Sequence, residues 1–245
     1  MRKDLIAMKI ALIGYGKMGK SIEEIAIARG HEIILIIDLA NSVEFTKENI
    51  LLADVVIEFT GPESAYQNVK KCINFGASVV CGSTGWSEKL NELQELCFAK
   101  KAALLYASNF SIGVNIFFEL NKKLAKLMKD QSDYDIQIEE IHHTQKKDSP
   151  SGTAITIAEQ ILEHIPRKKE WINSISDNPN HLEILSERID SVAGTHKITY
   201  SSPIDAIEIT HTAHSRKGFA LGAILAAEFI VDKKGCFTMK DVLRF

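Results

Sequence analysis

Residues 9–13, Lys-Ile-Ala-Leu-Ile, form a short apolar run that leads without a spacer into Gly14-Tyr15-Gly16-Lys17-Met18-Gly19. Residues 20–29 follow with Ile22, Ile25 and Ala26 at helical spacing, then Gly30, a second apolar run over 32–37, and Asp38. A GxGxxG string alone is a weak signal. Strand before, helix after and an acid about twenty residues on turn it into the dinucleotide-binding pattern. Gly14 serves the tight turn, Gly16 the approach of backbone to a pyrophosphate, and Gly19 the packing of helix on strand. Asp38 would accept hydrogen bonds from the adenosine ribose hydroxyls. Its carboxylate repels a 2′-phosphate, and Leu39-Ala40-Asn41 supply no cation to hold one. NADH is therefore favoured over NADPH, with Lys17 and Lys47 the cations that could offset the preference.

The alternation continues. Residues 53–59 read as a buried strand ending in Thr60-Gly61-Pro62-Glu63, and 64–75 as a helix with Val69, Cys72 and Ile73 inward. Strand 77–81 ends in Gly82-Ser83-Thr84-Gly85; helix 88–100 leads to strand 102–106 and the turn Ala107-Ser108-Asn109-Phe110-Ser111. Repeated units of this kind predict an α/β fold with a Rossmann-type, doubly wound parallel sheet. Ligands of such sheets sit beyond the carboxyl ends of the strands. Gly82, Ser83, Thr84, Ala107, Ser108, Asn109 and Phe110 thus join Gly14, Tyr15, Gly16, Lys17, Met18, Gly19 and Asp38 as cofactor-binding candidates. The competing reading is that small polar residues simply form good turns.

From residue 114 the pattern changes. A helix is expected over 115–128, with Phe117, Phe118, Leu120, Leu124 and Leu127 as its apolar positions. From 134, Tyr134, Ile136 and Ile138 alternate with Asp135, Gln137 and Glu139, which is strand periodicity. A helix over 154–162 presents Ile155, Ala158, Ile161 and Leu162. Residues 166–180 read as a surface excursion anchored by Trp171, and 182–192, 194–200 and 205–212 as strands. The last piece, 217–231 plus 238–243, is helical and returns to the first domain. The expected organisation is a dinucleotide-binding domain of 1–113 plus 217–245. Into it is inserted an α+β mixed-sheet domain, 114–216, for substrate binding and oligomerisation.

Between the strand and the helix of that insert lies Ile141-His142-His143-Thr144-Gln145-Lys146-Lys147-Asp148-Ser149, closed by Pro150-Ser151-Gly152-Thr153. Pro150 favours an extended Ser149, and Ser151 can cap the helix. Cations and helix N-terminal N–H groups are thereby delivered to one place. Carboxylates of an anionic substrate could accept from the Gly152 and Thr153 amides, the Thr153 hydroxyl and a Lys ammonium. A solvated basic loop before an ordinary helix accounts for the same residues.

With 245 residues the chain can bury a full core, and a net charge of −3 with interspersed signs points away from nucleic acid and acidic membrane surfaces. The apolar run 219–231 contains Gly222 and Glu228 and is too short to cross a bilayer. Residues 1–8 hold too short an apolar stretch for a signal peptide and read as a disordered lead. Cys72, Cys81, Cys97 and Cys236 are scattered, with no CxxC pair, which suits a reducing cytoplasm. His196, His211 and His214 read as packed histidines. His211 and His214 with His142 resemble a zinc set, but no nearby Cys or acid completes it, so no metal is expected. Glu139 and Glu140 fit either solvated strand-end carboxylates or partners that orient a histidine. Arg216 fits equally a ligand contact or an ion pair at the domain junction.

Residues 140–154, Glu-x-His-His-x-x-Lys-x-Asp-x-Pro-Ser-Gly-Thr-Ala, resemble without a gap the signature of the 4-hydroxy-tetrahydrodipicolinate reductase family of the diaminopimelate and lysine pathway. Segments 54–60, 82–85, 109–115 and 209–216 are similar to family segments too, so the resemblance spans nearly the whole chain. It implies reduction of a cyclic imine dicarboxylate, with water lost, by NADH or NADPH. His142 would be the proton donor and acceptor, and Lys146 the second proton donor. His143, Lys146, Gly152 and Thr153 would hold the substrate carboxylates, in a homotetramer built through the second domain's sheet. On an ideal strand His142 and His143 point to opposite faces, so both reach one ligand only if the chain bends there. The glycine loop is shorter than the form common in the family, the region between Asp38 and Asp54 is compact, and Asp190 stands where glycine is expected. A semialdehyde or sugar dehydrogenase would keep the first half but show an active-site Cys or a Lys-Pro motif. Cys81, amid apolar neighbours, is the nearest candidate for that Cys. A non-catalytic NAD sensor would have no need of the 142–153 loop.

Overall fold

A computed structural model of the chain describes residues 6–245; the start of the lead, residues 1–5, lies outside them. The chain divides into two compact units, one ending at Ile112 and resumed by Arg216–Phe245, the other Gly113–Ser215.

In the first unit, β1 (Lys9–Ile13), β2 (Glu32–Ile37), β3 (Val55–Glu58), β4 (Ser78–Cys81) and β5 (Ala103–Tyr106) are joined by a late strand, β11 (Gly235–Phe237). All pairings are parallel, in the order β11-β5-β4-β3-β1-β2. Helices cover both faces, so the strands must be apolar on both sides. Ile10, Leu12, Val55, Ile57, Val80 and Leu105 face α1 (Lys17–Ala28) and α7 (Lys217–Ile230), which contribute Ile22, Ala26, Ala220, Ala223 and Ile224. Ala11, Ile13, Val56, Val79 and Leu104 face α3 (Pro62–Phe75) and α4 (Leu90–Lys100), through Val69, Cys72, Ile73, Leu93 and Cys97. Ile22 is fully buried; truncating such a residue to alanine costs about 2–5 kcal/mol. The returning helix α7 is therefore part of this unit's core.

Three elements carry no periodic signal in the sequence. A 3₁₀ turn, Leu39–Glu44, and the one-turn α2 (Lys47–Ile50) fill the compact stretch after β2. β11 has only three residues behind a Lys pair, and its pairing of Gly235 with Ala103 defines it. α8 (Met239–Leu243) closes the chain. Among the described residues, no helix is long and apolar enough to cross a membrane.

The second unit runs α5 (Ile112–Met128, its first residue assigned to the other unit), β6 (Asp135–His142), α6 (Gly152–His164), β7 (Glu170–Ile172), β8 (His181–Arg188), β9 (Gly194–Ser201) and β10 (Ala206–Ala213). The mixed sheet has the order β10-β9-β6-β8-β7, with β6 parallel to β8 and antiparallel to β9. α5 and α6 share one face, where Phe117, Met128, Ile157 and Ile161 pack on Ile136, Ile138, Leu182, Ile184, Ile198 and Tyr200. Two expectations are corrected. The 166–180 stretch contains β7, an edge strand parallel to β8. In α5, Leu120 and Leu127 are exposed, because the helix turns Val114, Phe117, Asn121, Ala125 and Met128 inward. Asn121 is fully buried, and its amide donates to the Ile157 carbonyl at 3.1 Å and Gln160 at 3.0 Å.

Candidate active site

Because the first sheet is parallel, the segments after β1, β2, β3, β4 and β5 leave from one edge. Phe59, just after β3, ties them together. A Cβ on Gly14 would lie 2.4 Å from the Phe59 carbonyl oxygen, and Gly14 has φ +93°. A Cβ on Gly82 would lie 2.1 Å from the Phe59 ring, whose centroid is 5.6 Å from that of Phe110. A Cβ on Gly19 would lie 2.3 Å from the Gly14 carbonyl oxygen. Gly16 differs: a Cβ there meets nothing within 4 Å. It is the N-cap of α1, with no side-chain cap and no acid in the first turn, so that helix terminus suits an anion. These residues fit a dinucleotide's pyrophosphate.

The other candidates in this unit have definite partners. Tyr15 donates to Glu23, Lys17 is exposed and Met18 half-buried. Asp38 is exposed at the end of β2, where its carboxylate accepts from the Leu39 amide at 2.8 Å and its amide donates to Asn41 at 2.7 Å. Ser83 is buried, and its carbonyl accepts from the Trp86 indole at 2.7 Å; Thr84 is exposed. The Ala107 amide donates to the Cys81 carbonyl at 3.3 Å, Ser108 is exposed, and the Asn109 side-chain oxygen accepts from the Ser111 amide at 2.9 Å. Cys81, fully buried, is ill placed to act as a nucleophile. Burial first, and then Glu58 at 3.1 Å, pushes its thiol well up.

In the second unit the strand register builds a polar row on the core side of β6. Ile136, Ile138, Glu140 and His142 share that face, so apolar positions give way to an acid and a histidine as the strand ends. Glu140 lies opposite His196 of β9 and Ser186 of β8, and His142 opposite Arg188. Glu140 is fully buried. Its oxygens accept from the Ser151 amide at 3.1 Å, the Ser186 hydroxyl at 2.8 Å and the Arg188 guanidinium at 3.3 Å. Burial alone pushes its carboxyl up, but hydrogen bonds from His196, Ser151 and Ser186 outweigh that and hold it well below the usual range. Ser151 caps α6, accepting from the Ala154 amide at 3.1 Å, and its hydroxyl lies 3.1 Å from His196 Nε2.

His142 is 7% exposed. Its Nδ1 lies 3.5 Å from Glu140 Oε2 without forming a hydrogen bond, and its ring stands edge-on to His196 at 5.0 Å. Burial and then His196 push His142 down to about 4; Glu140 opposes this, while Lys146 and Arg188 add to it. The strand ends at His142, and the Lys146 amide donates back to the His143 carbonyl at 3.1 Å, so the chain turns over residues 143–146, just after the two histidines. His143 Nδ1 is buried without a hydrogen-bond partner. Lys146 is half-buried, with Nζ 2.8 Å from both oxygens of Asp148. Gly152 starts α6 with nothing within 4 Å of where a Cβ would be, and Thr153 follows it. The Ser149–Pro150 peptide is cis.

Arg188, Ser186 and His196 enter this cluster through long-range register. Arg188 also donates to the Asp148 carbonyl at 2.6 Å, and Asp190 accepts from the Thr144 hydroxyl. The sequence grouped His142 with His211 and His214; the structure groups it with Glu140 and His196, whose ligand atoms lie within 4.8 Å of one another. Such a trio has the donor set of a metal site. However, Glu140 already accepts from three residues, and the Arg188 guanidinium opposes a further cation. We read the trio as a hydrogen-bonding network. His211 faces His196 across β10 and β9, while His214 is exposed beyond β10.

A doubly wound unit with a glycine-rich first turn, joined to a mixed-sheet unit with a buried His–Glu pair, belongs to the class of two-unit, Rossmann-type nicotinamide oxidoreductases. Residues 8–110 match the family model described as dihydrodipicolinate reductase, N-terminus, and residues 113–243 that described as dihydrodipicolinate reductase, C-terminus. The chain is 51% identical over 236 residues to the 4-hydroxy-tetrahydrodipicolinate reductase of Christiangramia forsetii, covering 96% of this chain and 98% of that protein. It is 37% identical over 242 residues to that of Thermosipho africanus, covering 97% and 98%. A solved structure, dipicolinate-bound dihydrodipicolinate reductase from Paenisporosarcina sp. TG-14, shares the fold with a TM-score of 0.74 at 23% identity, covering 96% of this chain and 99% of that one. The chain belongs to the dihydrodipicolinate reductase family.

Proposed function

We propose that the protein reduces 4-hydroxy-tetrahydrodipicolinate to tetrahydrodipicolinate, with loss of water, in the diaminopimelate and lysine pathway. The observation that carries this is the buried His142–Glu140 pair at the end of β6, tied through Ser151 to the start of α6. Reduced nicotinamide cofactor, held by residues 14–19 with Asp38, Gly82, Ser83, Thr84 and residues 107–110, would supply a hydride. His142 then protonates the carbon that gains carbanion character; burial disfavours the imidazolium in the free site, and Glu140 together with the carboxylates of an anionic substrate favours it in the complex. Lys146 leaves Asp148 to supply the second proton from Nζ. His143, Lys146 and the Gly152 and Thr153 amides bind the carboxylates, with the N-terminus of α6 adding its partial positive charge.

NADH is preferred, because the exposed Asp38 carboxylate meets a 2′-phosphate with like charge and Leu39, Ala40 and Asn41 offer no cation. The protein is a homotetramer assembled through the second sheet. Both helices of that unit cover one face, leaving Gln137, Glu139, Ile141, Thr195, Lys197 and Thr199 on the other. It works in the cytoplasm, where four free cysteines stay reduced.

The test is loss of reduced-nicotinamide absorbance with freshly generated 4-hydroxy-tetrahydrodipicolinate. Wild type should turn over with NADH in preference to NADPH. His142→Gln should lose about 100-fold or more in kcat while still binding NADH. A wild type that binds NADH but does not turn over refutes the reading. Light scattering should give a particle about four times the 27.3 kDa chain.

A further inference from the structure

Glu140 is a fully buried carboxylate placed two residues before His142 on the same face of β6. Its oxygens are fixed by Ser151, Ser186 and Arg188, so it has little freedom to turn away. The atom of His142 that faces it, Nδ1, is buried, 3.5 Å from Oε2, and makes no hydrogen bond. Catalytic hydrogen bonds are often long before substrate binds and tighten in the complex. The other ring nitrogen has a different setting. Nε2 faces Gly194, where a Cβ would lie 3.1 Å away, so the glycine keeps a side chain off this edge of the ring.

The charged and titratable groups around the ring sharpen the point. His196 comes from β9, Arg188 from the end of β8, and Lys146 and Asp148 from the loop after β6, with His211 of β10 behind His196. Asp148 is engaged by Lys146, and His196, Lys146 and Arg188 all disfavour a charged imidazolium. Glu140 is the one named influence on His142 that favours it.

We propose that Glu140 is the positioning carboxylate of His142: it accepts the Nδ1–H, which leaves Nε2 as the atom that delivers the proton. In the step, the Nε2–H bond breaks and its electron pair stays on Nε2. The electron pair on the reduced substrate's carbon forms the new C–H bond. His142 is left as the neutral Nδ1–H tautomer, still facing Glu140, and water reprotonates Nε2. His196 takes part by holding Ser151, which in turn holds Glu140. This assignment rests on His142 being the acid of the proposed reaction.

Full-length Glu140→Gln and Glu140→Asp are compared with wild type for kcat and KM across pH, with NADH and the dicarboxylate substrate. Loss of the carboxylate makes the imidazolium harder to form. Glu140→Gln should lower kcat about 100-fold with KM retained. The pH above which kcat falls should move down by about one unit or more. Glu140→Asp should restore part of kcat and return that pH toward the wild-type value. An unmoved alkaline limb, or a loss confined to KM, overturns the proposal and leaves Glu140 a structural anchor for α6. If Glu140→Gln fails to fold, nitrogen NMR of wild-type His142 decides: the neutral ring should carry its proton on Nδ1, and an Nε2–H tautomer overturns the proposal. That measurement needs no turnover, so it separates a failure here from a failure of the reductase assignment.

Discussion

Lowering the pH from 6.5 toward 4 should destabilise the second unit through His142. In the unfolded chain this imidazole takes up its proton near 6.5, whereas burial, His196, Lys146 and Arg188 push it down to about 4 in the fold despite Glu140. The folded state thus binds fewer protons than the unfolded state within that window, and stability falls as pH falls through it; above 6.5 the residue contributes nothing. Each pH unit of the gap is worth about 1.4 kcal/mol, which sets a ceiling of about 3 kcal/mol. Solvent screening reduces this to about 1–2 kcal/mol. Above pH 4.5 the depressed carboxyl of Glu140 does not confuse the measurement, since its stabilisation is lost only below that ordinary glutamate value. His211 is also pushed down, by burial and then by His196 and His214, and acts with the same sign. The comparison is therefore between wild type and His142→Gln. Urea unfolding would be followed by Trp171 emission, in a Trp86→Phe background so that only the second unit reports. The two proteins should diverge as pH drops, with the variant losing about 1–2 kcal/mol less. Parallel pH profiles, or an NMR titration of His142 at 6.5 or above, would refute the reasoning.

Two further outcomes test the supports of the site. Ser151→Ala removes the α6 cap, about 1 kcal/mol, and the hydroxyl beside His196 Nε2, about 1–3 kcal/mol, so chemical denaturation should register a loss of about 2–4 kcal/mol. Gly82→Ala places a methyl 2.1 Å from the Phe59 ring; the displaced ring should weaken NADH binding about tenfold or more in a fluorescence titration, with substrate binding by the second unit retained.

The strand–helix alternation of the first unit was legible because parallel strands covered on both faces must be apolar along their length, and 10–13, 55–57 and 79–81 are. β11 was not legible. Three residues have no periodicity, and only their pairing with β5 makes them a strand. The α5 reading gave Phe117, Phe118, Leu120, Leu124 and Leu127 as the apolar positions, but helical geometry selects an arc, and Leu120 and Leu127 fall outside it. For Glu140 the signal was present in the alternation. Ile136 and Ile138 lead with period two to Glu140 and then His142, so the acid had to share the core face. What no local pattern could supply was its company. Ser186, Arg188 and His196 lie more than forty residues along the chain and arrive by the register of β8 and β9.

The first unit is interrupted, and that bears on how the chain is made. A ribosome delivers residues up to Ile112 first, then the whole of Gly113–Ser215, and only last the piece that holds α7 and β11. The inserted unit has all its strands and helices once residue 215 has emerged. Until then Ile10, Leu12, Ile57 and Leu105 lack the helix that covers them, and β5 lacks its outer neighbour. A nascent chain therefore presents an unroofed apolar surface for the full time needed to synthesise the insert, and the final thirty residues act as the latch that ends that exposure. Truncation near the C-terminus strikes at the beginning of the protein.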